Sequence, residues 1–150
     1  MLEHRIRLEE AMPLFQEQLA RGQSVQFAPR GTSMLPMLRE GKDSVILSPL
    51  PQRLKKYDIP LYRRGDGQYV LHRIVDVGET YTCVGDNQFA LERGIDHGQL
   101  IAVVTAFTRA GRRWSVDHPA YRVYCRFWHF SRPVRRVWRW AKGRIRRILK

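Results

Sequence analysis

Phe27-Ala28-Pro29-Arg30-Gly31-Thr32-Ser33-Met34-Leu35-Pro36-Met37-Leu38, read with Tyr69-Val70-Leu71-His72-Arg73-Ile74-Val75, decides the fold of this 150-residue chain. In the first stretch a short strand signal at Val25 and Phe27 runs into a glycine and then a serine. Pro36 limits any helix that follows to about one turn. Ser33 therefore falls at a strand-to-turn junction, where a hydroxyl is held yet reachable. The second stretch reads as a strand, and period 2 puts Val70, His72 and Ile74 on one face.

A serine hydroxyl is a weak nucleophile until a base takes its proton, and a neutral imidazole with an ordinary pKa of about 6.5 can do so near pH 7. Ser33 and His72 form a candidate dyad on that ground. Taken singly, Ser33 reads as a turn or helix-capping serine and His72 as a satisfied strand histidine, and neither residue carries the case by itself. The order of the surrounding signals separates these readings. Gly31-Thr32-Ser33-Met34-Leu35-Pro36, Gly41 to Asp43 ahead of a strand at 44–47, Asp58-Ile59, Leu71-His72-Arg73-Ile74-Val75 and Gly85-Asp86-Asn87 follow in turn.

That series, over about residues 25 to 107, closely resembles the type I signal peptidase and LexA-like serine peptidase superfamily. The resemblance implies a coiled, mostly antiparallel β-domain in which Ser33 is the nucleophile and His72 the base, as in the archaeal and endoplasmic-reticulum type. Met34 and Pro36 are then substrate-contacting positions, and the Ser33 backbone N–H, aided by Thr32, holds the oxyanion. Asp86 would buttress the site or orient His72 as a triad acid. Glu92-Arg93-Gly94 corresponds to a later acidic-Arg-Gly element, with Glu in place of Asp. The chain departs from the pattern at three points. Gly31 stands where many signal peptidases have a second serine, Tyr57 stands where a glycine usually precedes Asp58, and Lys42 splits the usual Gly-Asp. The implied substrate is a precursor peptide or protein, bound extended, with small residues before the cut. A catalytically weak peptide-binding or membrane-surface adaptor of the same fold is the alternative.

Composition bounds the rest. At 150 residues and 43% hydrophobic, the chain suits one domain with a real core. Strand signals at 25–27, 44–47, 59–63, 69–77, 80–84, 100–107 and 114–116, separated by turn residues, predict a mostly β class. Ahead of this β-domain (23–118), residues 1–22 predict an amphipathic helix through Leu2, Ile6, Met12, Phe15 and Leu19, with Pro13 as a kink or restart and Gly22 as its stop. Charged residues interrupt that segment, so neither a targeting signal nor a transmembrane anchor, which needs about 20 apolar residues, is expected within it. Cys83 and Cys125 make no disulfide framework and suit a reducing compartment. The histidines show no metal-ligand spacing, so neither metal nor other cofactor is expected.

The excess of 27 Lys+Arg over 14 Asp+Glu, a net +13, implies an anionic partner. It concentrates in the tail, 119–150, where residues 121–150 hold eleven Lys+Arg and no carboxylate. Pro133 divides the tail. Tyr121, Tyr124, Cys125 and Trp128 share one helical face before it, and Val134, Val137, Trp138, Ala141, Ile145, Ile148 and Leu149 share one after it. An anionic membrane surface, the β-domain itself and nucleic acid are the three candidate partners, the last disfavoured because no reading module accompanies the charge. The expected location is the cytoplasm, with peripheral attachment at the inner membrane face.

Overall fold

Two antiparallel sheets, each too small to bury itself, share one molecule with three helices in the computed structural model, which describes residues 7–149. Helix α1, Leu8–Ala20, runs through Pro13 without restarting and buries Met12 and Leu19. Leu2 and Ile6, assigned above to the same helix, lie outside the described residues. Strands β1 (Val25–Phe27), β2 (Ser44–Ser48), β3 (Pro60–Arg63), β4 (Tyr69–Leu71), β8 (Leu100–Arg109) and β9 (Arg112–Ser115) form the larger sheet. Its order is β1-β2-β8-β3-β4, with β9 paired to β8, which leaves β1 and β4 as its two ends. The smaller sheet is β5-β6-β7, from Arg73–Val77, Tyr81–Val84 and Glu92–Ile95.

Helix and strand occupy similar shares, 31% and 29%, so the class is mixed rather than the mostly β one expected. The helical tail expected over 119–150 forms α2 (Pro119–Phe130) and α3 (Arg132–Ile148) with Ser131 between them, and together with α1 it brings helix level with strand. Among the described residues, no helix is long and apolar enough to cross a membrane.

The strand expected over 69–77 is two strands in two different sheets. His72 is the residue between them, leaving β4 paired with β3 and β5 paired with β6. Residues 70–75 are all buried, because the crossing segment is covered on both sides. Alternation then sends Leu71 into the core beneath the large sheet and Val70 and Ile74 into a second cluster between the sheets. The first cluster also receives Met12 and Leu19 of α1 and Tyr121 and Cys125 of α2, so the three sequence segments share a core. Cys83 and Cys125 are both buried free thiols.

Candidate active site

Ser33 lies in the turn that follows β1, and His72 lies at the end of β4. The large sheet is curled far enough that its two end strands border one groove of about 610 Å³, which both Ser33 and His72 line. Phe27, Met34, Leu38, Val70 and Leu71 give that groove an apolar lining. Met34 thus meets the groove as expected, whereas Pro36 does not line it and follows Leu35 through a cis peptide bond. Gly31 takes φ +84°, a left-handed angle open to glycine at little cost, which turns the chain out of β1.

The Ser33 turn is held from behind by the loop 85–87. The Asn87 N–H donates to the Ser33 carbonyl at 2.8 Å, and Asn87 Nδ2 donates to the Thr32 carbonyl at 3.1 Å. A Cβ at Gly85 would stand 2.6 Å from the Ser33 carbonyl oxygen, so only glycine lets the loop come this close. With both carbonyls drawn toward the loop, the Ser33 N–H finds no acceptor among the described residues and is free to bind an oxyanion. Thr32 is exposed and contributes its carbonyl to this brace.

His72 is 3% exposed, and its ring is oriented by Glu92 and Tyr62, one from each sheet. Nδ1 stands 3.1 Å from Glu92 Oε1 and 3.4 Å from the Tyr62 hydroxyl, which itself donates to Glu92 Oε2 at 2.9 Å. Arg64 completes the cluster by donating to both Glu92 oxygens, through Nε at 3.0 Å and through Nη2. Burial pushes His72 below the ordinary histidine value despite the neighbouring Glu92 charge, so the imidazole is neutral at pH 7. Burial would raise Glu92, but hydrogen bonds from Arg64 and Tyr62 outweigh it and hold the carboxyl below its usual range. A neutral ring with Nδ1–H on a carboxylate has Nε2 left to accept a proton. The Ser33 hydroxyl makes no hydrogen bond among the described residues, His72 included.

Asp86 is not the carboxylate on His72. It is fully buried and takes a bidentate pair from Arg73, with Nε and Nη2 both at 2.8 Å, and a third bond from the Tyr124 hydroxyl at 3.1 Å. Arg73 faces the opposite way from His72 because it is the next residue of an extended chain. Its Nη1 also donates to the Tyr121 hydroxyl at 2.8 Å, which ties α2 to the crossing segment. The acid beside His72 is Glu92, at the start of β7, a strand that sequence reading missed. The signal available for it was the acidic-Arg-Gly element at 92–94; its pairing, with Glu92 opposite Cys83, is a property of the sheet.

Cys83 lies close to this cluster, but burial pushes its thiol up to about 12, so it packs as an apolar group rather than acting as a nucleophile. Among the described residues, no group of His, Cys, Asp and Glu could hold a metal ion. Comparison with known proteins adds no relative: no protein-family model, curated protein or solved structure matches the chain.

Proposed function

We propose that the chain is a serine endopeptidase of the signal peptidase and LexA-like type that cleaves an extended segment of a precursor peptide or protein. The observation that carries this reading is the shared groove. Ser33 and His72 come from opposite ends of one curled sheet, and His72 is neutral and oriented by Glu92. Strands β1 and β4 each have one unpaired edge, and an extended peptide laid in the groove can add to either as a further strand.

In the reaction, Ser33 Oγ attacks the scissile carbonyl carbon while His72 Nε2 takes the hydroxyl proton, and the Ser33 N–H stabilises the oxyanion. Collapse of that adduct breaks the C–N bond, and His72 returns the proton to the leaving amine. Water then hydrolyses the acyl-serine with His72 again as base. Glu92 is a positioning residue, holding the ring with Nε2 free and stabilising the imidazolium as it forms.

A non-catalytic peptide-binding protein is the competing reading, favoured by the missing Ser33–His72 hydrogen bond. Apo dyads often close only around substrate, so the groove weighs more than that bond. One experiment divides the two. Incubated with a diverse peptide mixture, the wild type should generate cleavage products that Ser33→Ala and His72→Ala each reduce by at least about a thousandfold. Identical product profiles for all three proteins would leave only the binding role.

A further inference from the structure

We infer that the outer face of α2 and α3 is a docking surface for an anionic lipid bilayer, with the helices lying in the interface rather than crossing it. The inference does not depend on catalysis at Ser33. Helix α2 turns Tyr121 and Cys125 into the core, whereas α3 buries none of its residues. Its inward contacts are cationic: Arg135 Nη1 donates to the Asp86 carbonyl at 3.2 Å, and Arg139 Nη2 donates to Asn87 Oδ1 at 2.7 Å. The apolar residues are left facing away. Val123, Phe127, Phe130, Val134, Val137, Trp138, Ile145 and Ile148 are each more than half exposed.

Their spacing carries one stripe across the junction, because Ser131 keeps helical angles of φ −78° and ψ −7°. At a rise of about 1.5 Å per residue, α3 alone offers a stripe about 25 Å long. Cations flank it rather than interrupt it. Lys142 Nζ lies 5.3 Å from the Trp138 ring, so the charge can reach headgroups while that ring enters the acyl boundary.

Charge decides the occupant. A second copy would set cation-rich helices against each other, since residues 121–150 hold eleven Lys+Arg and no carboxylate. Nucleic acid would satisfy the cations but leave the stripe in water. An anionic bilayer covers both at once. It would also hold the loop that braces Ser33, because Arg135 and Arg139 grip that loop from α3.

The test is flotation of the full chain with phosphatidylcholine vesicles, with or without phosphatidylglycerol, at rising salt. Binding should require the anionic lipid and persist in part at high salt. Trp138→Ala with Ile145→Ala should weaken it about tenfold or more, and Arg136→Gln and Arg147→Gln by about fivefold each. None of these side chains is buried, so unchanged circular dichroism and melting will show that the variants fold. Three results would overturn the inference: no flotation with anionic vesicles, binding that salt abolishes and Trp138→Ala/Ile145→Ala leaves intact, or a dimer in light scattering that those two substitutions dissolve. The second would transfer the surface to nucleic acid or another polyanion, and the third to a second copy.

Discussion

His72 and Arg73 are consecutive and both nearly inaccessible, yet each serves a different structure. On the His72 side, Glu92 is partly exposed, the ring is neutral, and His72 and Arg64 line a groove. On the Arg73 side, both charges are buried, at 1% exposure or less; the guanidinium joins β5, the loop 85–87 and α2 into one unit. Burial alone would lower the Arg73 pKa; the Asp86 charge and hydrogen bonds, with Tyr121 and Cys125 beside them, together more than reverse that. The difference teaches that one crossing strand can supply chemistry on one face and rigidity on the other, with a separate carboxylate for each.

Breaking the buried side should have the largest effect. Asp86→Asn leaves an uncompensated guanidinium in the core and should destabilise the protein by about 3–5 kcal/mol in urea unfolding. Replacing both charges, Arg73→Met with Asp86→Leu, should recover much of that loss, because neither buried charge remains. A single variant that unfolds like wild type would mean that water reaches the pair.

The His72 side should respond in rate rather than stability. Glu92→Gln removes a partly exposed charge, worth about 1 kcal/mol or less in unfolding, but should lower kcat by about a hundredfold through loss of ring orientation. The pH profile separates positioning from general damage. His72 titrates below its unfolded value of about 6.5, so the native state takes up its proton less readily than the unfolded chain. Activity, and the His72 contribution to stability, should be complete above about pH 6.5 and fall as pH drops below it. The Glu92 charge holds the His72 pKa up, so Glu92→Gln should move the acid limb to still lower pH. An unmoved limb would remove Glu92 from the site.

The asymmetry was only half legible in the sequence. Ser33 in a turn after a strand, the strand-forming residues on either side of His72 and the amphipathic tail all follow from local pattern. The break at His72 does not, because Val70, Leu71, Ile74 and Val75 are strand formers whichever sheet they join. Which acid meets His72 was equally hidden. Asp86 and Glu92 are both plausible by type, and the choice is made by β7 pairing with β6, through a short strand containing Gly94 that carries almost no propensity signal. In the tail, the apolar faces could be read from spacing, but that α2 buries its face while α3 leaves one open depends on what the β-domain presents to each.

The smallest expected effect lies on the Arg73 side, at Tyr57. This residue adopts φ +79°, the left-handed angle that glycine tolerates best. Its N–H donates to the Ile74 carbonyl at 2.8 Å and its carbonyl accepts from Arg73 Nη1 at 3.2 Å, so both ends of the peptide unit are fixed by the crossing strand. Its ring packs edge-on against His129, with centroids 5.6 Å apart. Truncation to Ala or Gly loses that ring contact equally, but Ala keeps the Cβ that disfavours the angle. Tyr57→Gly should therefore be more stable than Tyr57→Ala by about 1 kcal/mol, the reverse of the order at an ordinary strand or helix position. If Ala proved equal or better in thermal unfolding, the chain at residue 57 would not be left-handed, and Arg73 would lose the carbonyl that fixes its inner end.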